Sequence, residues 1–310
     1  MTRIAVIGLG SMGSRIAGRL VAAGHDVIGW NRTAARAEAF VEMGVTRVES
    51  PAAAARDAEV VITMVADASA LRDVTEGAGG VASGVRAPAT VIQMSTVGPE
   101  AVLRLASVLP PGVGLLDAPV LGSLAEAEAG SLRIFVGGAP ELVEKWMSVF
   151  FDLGSPLFVG PAGAGAAAKL VANATLFGVV GLLGESLVLA RALGLPAETA
   201  FDVIATTPLA AQAQRRRPAI ESREYPARFS LALARKDADL IVEAARAVGV
   251  DLRFGSVVHG LFAEAIDAGL GNRDYSAVLA HILGSRGYPA GSGSRSSERR
   301  DQRSSTPGGR

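Results

Sequence analysis

Short apolar runs alternate with amphipathic segments through the first half of the chain. Segments between the runs, such as 34–42 and 100–109, have helical spacing. Strands that alternate with helices in this way indicate a parallel sheet covered on both faces. The runs predict strands along the first half, and the last two flank a predicted helix at 140–151 and extend the sheet: 3–7, 26–30, 45–48, 59–65, 90–94, 114–118, 132–136 and 157–159.

The pattern changes after Gly163, beyond which no strand is predicted. One long helix is expected over 164–193, where Gly194 and Pro196 would end it. We therefore expect an α/β fold, with a doubly wound, Rossmann-type parallel sheet over 1–162 and an all-α domain over 163–284. Residues 285–310 are rich in Gly, Ser and Arg and are expected to form a disordered tail. The further predicted helices are 197–205, 210–222, 231–248 and 254–268.

The first predicted strand leads directly into the sequence Gly8-x-Gly10-x-x-Gly13 and then into a helix. Gly8 permits a tight turn, Gly10 lets a pyrophosphate approach the backbone, and Gly13 lets the helix pack close to the strand. The phosphates would bind the free N–H groups at the positive end of the helix. This order of strand, glycines and helix predicts a dinucleotide-binding domain.

The residues that end the second strand bear on which dinucleotide is bound. A carboxylate at that place accepts from the ribose 2′-hydroxyl and selects NAD. This chain has Asn31-Arg32-Thr33, whose amide, guanidinium and hydroxyl can all donate to a 2′-phosphate. The residues therefore favour NADP(H), with NAD(H) as the alternative. In a second interpretation, Asn31 and Thr33 only turn the chain and cap the following helix.

Composition narrows the classes of partner. The 310 residues include 30 basic and 30 acidic side chains, so no overall field favours nucleic acid or an anionic membrane, and neither is an expected partner. The absence of cysteine excludes thiol chemistry and fits a reducing compartment, so a cytoplasmic location is expected.

His25, His259 and His281 lie far apart and predict no metal site. The apolar stretch 170–189 contains polar residues and glycines, and it predicts a buried helix rather than a membrane span.

Hydride transfer to or from a carbonyl also needs a group that gives or takes the alcohol proton. Lys169 is the candidate because it is a lone charge in a small, apolar stretch at the domain junction. Burial there would lower its pKa toward the working range, which suits an acid–base role. Asn173 lies four residues further along the same helix face and could hold the substrate oxygen. In the alternative interpretation, Lys169 only extends from the helix start to solvent.

A series of motifs occurs in a fixed order along residues 1–284. After the glycine loop come Met94-Ser95-Thr96, Asp117-Ala-Pro-Val-Leu-Gly122-Ser123 with Gly130 and Gly137-Gly138, the Lys169/Asn173 segment, Lys236-Asp237, and Gly269-Leu-Gly-Asn-Arg-Asp-Tyr-Ser276. Together they resemble the β-hydroxyacid dehydrogenase family, which includes 3-hydroxyisobutyrate dehydrogenases, tartronate semialdehyde reductases and glyoxylate/succinic semialdehyde reductases. The resemblance implies an oxidoreductase that transfers hydride between a nicotinamide cofactor and a small hydroxy acid or semialdehyde. With the residues Asn31-Arg32-Thr33, which favour NADP(H), we expect an NADP(H)-preferring enzyme.

The resemblance implies a role for each matching residue. Lys169 would protonate the nascent alkoxide during carbonyl reduction, and Asn173 would orient the substrate. Ser123 and Gly122 would receive the carboxylate of a small-molecule substrate, and Lys236 would reach back from the helical domain to bind the cofactor or the substrate. The long helix with its glycines also favours a homo-oligomer formed through that domain. The remaining matches would bind the cofactor: Gly8, Leu9, Gly10, Ser11, Met12 and Gly13 at the pyrophosphate, Asn31, Arg32 and Thr33 at the adenosine, Met64 and Val65 in the groove, and Thr96 near the nicotinamide.

Departures from the family pattern leave the substrate open. The loop Leu121-Gly122-Ser123 stands where Ser-Gly-Gly is common, and Asn173 is followed by Ala174 rather than a second asparagine. An imine reductase is the alternative enzyme, although an ammonium at position 169 would repel an iminium ion. A non-catalytic binding module would be expected to lack the lysine. A 6-phosphogluconate dehydrogenase would need a histidine beside the lysine segment, and 165–169 contains none.

Two charged groups have alternative interpretations. Lys236-Asp237 is either part of the site or a solvated pair on a helix. Arg215-Arg216-Arg217 is either a solvated helix face or a contact to an anionic substrate.

Overall fold

The computed structural model describes residues 1–34 and 41–284. Residues 35–40 of the predicted helix at 34–42, and the predicted tail at 285–310, lie outside the described residues. The apolar runs of the first half form a single sheet whose strands are β1 (Arg3–Ile7), β2 (Asp26–Trp30), β3 (Thr46–Arg47), β4 (Val60–Thr63), β5 (Thr90–Gln93), β6 (Gly114–Asp117), β7 (Val120–Leu121), β8 (Leu132–Gly138) and β9 (Gly154–Gly160).

The strands lie in the order β3-β2-β1-β4-β5-β6-β8-β7, and β9 also pairs with β8. From β3 to β6 every pairing is parallel, as expected for strands joined by helical crossovers. From β1 the chain proceeds to β2 and β3 on one side, and from β4 to β6 on the other, so the reversal lies between β1 and β4. Ligands of such sheets bind at the carboxyl ends of the strands near this reversal. The prediction of a doubly wound sheet followed by a helical domain is confirmed.

The far end of the sheet differs from the fully parallel prediction. β8 is antiparallel to both β6 and β7, and β9 is parallel to β8. After β6 the chain turns back, because β7 and β8 form a hairpin whose connection contains the short helix Leu124–Ala129, so no crossover restores the direction. β7 was not predicted because a strand of two residues has no detectable alternation.

Helices cover both faces of the sheet. Alternate residues of β1 belong to opposite cores, with Ile4 and Val6 on one face and Ala5 and Ile7 on the other. This two-residue alternation explains why the strands are apolar throughout. The helices of this domain are α1 (Ser11–Ala22), α2 (Pro51–Ala55), α3 (Ala68–Glu76), α4 (Val81–Gly84), α5 (Pro99–Val108), α6 (Leu124–Ala129) and α7 (Pro140–Leu153).

The second half is helical and has its own core. The predicted helix at 254–268 is shorter than expected, because a wider π-type turn at Ile266–Leu270 follows it and Gly269 has a φ of 84°. The last short helix was not predicted. The helices are α8 (Ala164–Ala192), α9 (Ala197–Ala205), α10 (Ala210–Ser222), α11 (Leu231–Ala247), α12 (Arg253–Ala265) and α13 (Val278–Gly284).

Helix α8 is the centre of the helical domain. Its buried residues include Phe177, Val180 and Leu183, which belong to the core shared with α9 to α13. By length and composition it is the one helix of the described chain that could cross a membrane, and half of its most apolar window is buried inside the protein. That burial agrees with the predicted buried helix, since a helix that is apolar on most sides is typical of a protein core.

Candidate active site

The loop between β1 and α1 has the backbone that a bound pyrophosphate requires. Gly8 has a φ of 102°, and a Cβ there would lie 2.3 Å from the carbonyl oxygen of Met64. A Cβ on Gly13 would lie 1.9 Å from the Gly8 oxygen, so only glycine lets α1 pack this closely. A Cβ on Gly10 would meet nothing within 4 Å, and no side chain caps the first N–H groups of α1. The residues present therefore fit a dinucleotide, whose phosphates these N–H groups would bind.

Asn31 holds the glycine loop against the end of β2. Its Oδ1 accepts a hydrogen bond from the Leu9 N–H at 3.1 Å, and its Nδ2 donates to the Thr33 carbonyl at 3.0 Å. Asn31 therefore turns the chain, as in the second interpretation of this segment. Arg32 and Thr33 are exposed, and the Arg32 guanidinium forms no hydrogen bond with any described residue. Among the described residues, nothing therefore engages the Arg32 guanidinium.

The ends of β4 and β5 lie beside the glycine loop. Met64 is in contact with Gly8, and the Val65 N–H donates to Ser95 Oγ at 2.8 Å. The next residue, Thr96, accepts a hydrogen bond through its carbonyl oxygen from Lys236 Nζ at 2.6 Å. Since Lys236 belongs to α11, this bond joins the helical domain to the carboxyl edge of the sheet. The structure thus brings the predicted groove residues and Lys236 together.

The start of α8 is fixed to the end of β6 by Asp117. This fully buried carboxylate accepts from the Gly163 N–H at 3.1 Å and from the Ala166 N–H at 2.7 Å. Burial raises its pKa, and the backbone hydrogen bonds oppose that rise. A Cβ on Gly165 would lie 2.4 Å from the Asp117 carbonyl oxygen, so the helix start packs directly on the strand. The helix therefore begins at the carboxyl edge, with a fixed position.

Lys169 lies less than two turns into α8 and is buried. Its exposed fraction is 8%, so the interpretation as a side chain that extends to solvent is wrong. Burial lowers the pKa of Lys169 to about 8; the charge of Asp237 raises it, and the charge of Lys236 lowers it. An ammonium whose pKa lies near neutrality can both give and take a proton at ordinary pH.

Asp237 connects the charged groups of the site. It is 2% exposed, its Oδ2 accepts from Asn173 Nδ2 at 2.8 Å, and its Oδ1 lies 2.6 Å from Lys236 Nζ. Burial raises the pKa of Asp237, whereas Lys236, Lys169 and Asn173 lower it. The interpretation of Lys236-Asp237 as a solvated helix pair is therefore wrong. A cluster of one carboxylate, two ammonium groups and one amide lies at the junction of the two domains.

The loop that was expected to receive the substrate carboxylate has its donors occupied. The N–H and the Oγ–H of Ser123 donate to the same oxygen, Glu126 Oε2, at 2.8 and 2.6 Å. These hydrogen bonds, with a smaller contribution from Arg215, lower the pKa of Glu126. Gly122 is exposed. In the described residues no hydrogen bond joins Ser123 to the Lys169 cluster.

The geometry agrees with comparisons to known proteins. A model described as the NAD binding domain of 6-phosphogluconate dehydrogenase matches residues 3–161. A second, described as NAD-binding of NADP-dependent 3-hydroxyisobutyrate dehydrogenase, matches residues 163–282. The 3-sulfolactaldehyde reductase of Escherichia coli (strain K12) is 33% identical over 296 residues, which are 94% of this chain and 99% of that protein. The chain belongs to the β-hydroxyacid dehydrogenase family.

Other members support the same placement. Glyoxylate/succinic semialdehyde reductase 1 of Arabidopsis thaliana is 31% identical over 91% of this chain and 99% of that protein. The solved 3-hydroxyisobutyrate dehydrogenase of Mycobacterium tuberculosis, described with L-serine, has a TM-score of 0.81 and 30% identity over 91% of this chain and 99% of its own. This β-hydroxyacid dehydrogenase is therefore an NAD(P)-dependent oxidoreductase with a Rossmann fold.

Proposed function

We propose that this enzyme prefers NADP(H) and transfers hydride between the nicotinamide and a small hydroxy acid or semialdehyde, with Lys169 as general acid and base. The observation that carries the proposal is the burial of Lys169 at the domain junction, beside the carboxylate of Asp237. The names of the relatives, which are reductases of sulfolactaldehyde, glyoxylate and succinic semialdehyde, support the substrate class.

The residues of the cluster have separate roles in proton transfer. The bound cofactor supplies the hydride. During reduction, the Lys169 ammonium donates a proton to the carbonyl oxygen as charge develops there, and in oxidation the neutral amine takes the alcohol proton. Asp237 holds Asn173 and Lys236 by direct contacts and keeps Lys169 more basic than burial alone would allow. Lys236, through Thr96, aligns this cluster with the nicotinamide end of the groove.

Replacement of Lys169 by Met tests the proposal with little change in shape. We expect turnover of succinic semialdehyde to fall by about a hundredfold or more, which is typical of losing a general acid, while the Kd for NADPH stays within about twofold. Lys145→Met is the matched control, because the Lys145 side chain is exposed and lies on α7. Unchanged turnover in Lys169→Met would overturn the assignment.

The imine reductase alternative predicts a different substrate profile. A buried ammonium beside an iminium ion would suffer like-charge repulsion, so the cluster favours carbonyl reduction. Assay of a cyclic imine beside succinic semialdehyde, with both cofactors, compares the two reactions. Faster turnover of the imine would favour the alternative.

The preference for NADP(H) rests on Arg32. Its exposed guanidinium lies at the end of β2, and the described residues contain no carboxylate partner for it. In Arg32→Ala we expect the KM for NADPH to rise by about tenfold or more, because a charge-assisted contact to the 2′-phosphate is lost. The KM for NADH should stay unchanged and serves as the internal control. Equal changes for both cofactors would contradict the preference.

We also propose a homo-oligomer formed through the helical domain. Large apolar side chains of this domain are exposed in the single chain, among them Val171 at 69% and Leu193 at 72%. Apolar surface of this kind is typical of interfaces between subunits. Light scattering of the purified enzyme should give a multiple of the 31.6 kDa chain mass, and a monomeric mass would contradict the proposal.

A further inference from the structure

A buried polar side chain ends one of the central strands of the sheet. Gln93 is the last residue of β5, where it pairs in register with Thr63 of β4 and Asp117 of β6. Its side chain is fully buried. A buried carboxamide costs free energy unless its donor and its acceptor are both bonded. The partners of Gln93 therefore indicate its role.

Both polar atoms of the Gln93 side chain bond the backbone of one residue. Nε2 donates to the Ser95 carbonyl oxygen at 2.8 Å, and Oε1 accepts from the Ser95 N–H at 2.5 Å. Within the described chain the carboxamide bonds no other residue. A neutral amide offers a donor and an acceptor side by side, whereas a carboxylate offers acceptors only. Gln93 therefore holds Ser95 through both its N–H and its carbonyl group.

Ser95 in turn joins the ends of two strands at the cofactor groove. Its Oγ accepts from the Val65 N–H at 2.8 Å and lies 3.4 Å from the Thr63 carbonyl oxygen. Val65 is close to the glycine loop, since a Cβ on Gly8 would lie 3.3 Å from Val65 Cγ1. The position of Ser95 therefore fixes the wall of the groove beside that loop.

The residue after Ser95 connects this segment to the charged cluster. The Thr96 carbonyl oxygen accepts from Lys236 Nζ at 2.6 Å, and the same Nζ lies 2.6 Å from Asp237 Oδ1. Besides burial, the charges of Asp237 and Lys236 shift the pKa of Lys169. A continuous series of short contacts thus leads from the end of β5 to the domain junction.

A buried arginine of the helical domain shows, by contrast, a role within the fold. Arg216 is 9% exposed, so the interpretation of this residue as part of a solvated helix face is wrong. It donates to the Tyr275 hydroxyl, and its Nη1 lies 3.6 Å from Asp274 Oδ1. These contacts join α10 to the turn before α13, and none of them involves the carboxyl edge of the sheet.

We propose that Gln93 is a positioning residue for hydride transfer. Its carboxamide fixes the backbone at Ser95, and the adjoining Thr96 carbonyl fixes Lys236 at the nicotinamide end of the groove. The proposal rests on the function proposed above and adds to it a residue outside the reacting groups. A displacement of about 1 Å at reacting groups can lower a rate by about a hundredfold, so a support of this kind affects turnover.

Replacement of Gln93 by Met keeps the size of the side chain and removes both hydrogen bonds. In single-turnover reduction of succinic semialdehyde by bound NADPH, we expect the rate of hydride transfer to fall by about tenfold or more, with the Kd for NADPH within about threefold. Val91→Ala is the matched control, because it removes core contacts from the same strand but no side-chain hydrogen bond, and its rate should stay within about twofold of the wild type. A wild-type rate in Gln93→Met, or an equal loss in Val91→Ala, would overturn the proposal.

Gln93→Glu supplies a rescue that depends on pH. A protonated carboxyl group donates and accepts as the amide does, whereas the carboxylate leaves the Ser95 carbonyl without a donor. Burial favours the protonated form. We therefore expect the single-turnover rate of Gln93→Glu, relative to the wild type at the same pH, to rise as the pH falls from about 8 to about 6. A rate that remains as low as that of Gln93→Met at every pH would contradict the proposal.

Hydrogen exchange in the cofactor-free enzyme separates this proposal from the proposed function. In Gln93→Met the Ser95 N–H loses its acceptor, and the acceptor of the Val65 N–H is no longer held. Exchange of both amides should become faster by about tenfold or more relative to the amides of β1, and Val91→Ala should not change that ratio. If the wild type reduces no semialdehyde yet Gln93→Met shows this exchange, the proposed function fails and the support of the groove stands. Unchanged relative exchange at both amides overturns the proposal for any substrate.

Discussion

The ammonium of Lys169 lowers the stability of the fold at neutral pH, and the size of this effect follows from its pKa. Burial lowers that pKa from the ordinary 10.5 to about 8, with the attraction to Asp237 already included. Because one pKa unit corresponds to about 1.4 kcal/mol, the charged form costs about 3 kcal/mol in the folded protein. Lys169→Met keeps the length of the side chain and removes the charge. We therefore expect the variant to be more stable than the wild type by about 3 kcal/mol near pH 7.

The pH dependence distinguishes the loss of the charge from a change in packing, because a change in packing alters the stability equally at every pH. Between pH 8 and 10.5 the unfolded lysine holds its proton while the folded one has lost it, so the stability of the wild type rises with pH in that window. The penalty is complete below the folded pKa and vanishes above the unfolded one. The difference between Lys169→Met and the wild type should therefore shrink as the pH rises from about 7 to about 10.

Urea unfolding at fixed protein concentration measures this difference, with Lys145→Met as the exposed control that should show no such trend. Groups outside the cluster titrate equally in the two proteins, so the difference reports on Lys169 together with Asp237 and Lys236, which interact with it. A stability difference that does not vary with pH, or a Lys169→Met variant less stable than the wild type near neutrality, would refute the reasoning.

Three further predictions concern the site and its supports. Asp237→Asn removes the charge that raises the pKa of Lys169, so the pH at which kcat for reduction falls should move lower, and an unmoved midpoint would mean that another group titrates. Gly13→Ala places a Cβ 1.9 Å from the Gly8 oxygen, so the Kd for NADPH measured by fluorescence should rise by about tenfold or more, and a wild-type Kd would contradict the close packing. Asp117→Ala leaves two backbone N–H groups without their buried acceptor, so urea unfolding should show a loss of about 3 kcal/mol, and a loss within error of zero would show that water replaces the carboxylate.

The parts of this structure that the sequence predicts are those set by neighbouring residues. The alternating apolar runs of β1 to β6 and the turn chemistry of Gly8, Gly10 and Gly13 are local signals, and the fold class follows from them. The direction of β8 is not local, because it depends on whether the chain after β6 crosses the sheet or turns back beside it. A short apolar run has the same composition in either direction.

The sequence points to the residues of the candidate site, but to only some of the contacts between them. Lys169 is recognisable as a lone charge in an apolar stretch, but a Lys-Asp pair on a helix resembles a solvated face unless its burial is known. The sequence likewise does not reveal that Glu126 occupies the donors of Ser123, since that contact depends on a side-chain rotamer. The sequence also does not reveal that Arg216 is buried, because its neighbours Arg215 and Arg217 are the same residue type and are both more exposed.

The hydrogen bonds from the start of α8 to Asp117 fix the rotation of this helix about its axis, and therefore the direction in which Lys169 points. Each residue of an α-helix turns it by about 100°, so one alanine inserted between Ala166 and Lys169 would swing the amine away from the domain junction while leaving every side chain chemically unchanged. Insertions after the helix ends at Ala192 leave that phase intact. Substitutions can therefore change the surface of the helical domain, whereas the number of residues between Ala166 and Lys169 cannot change without moving the amine.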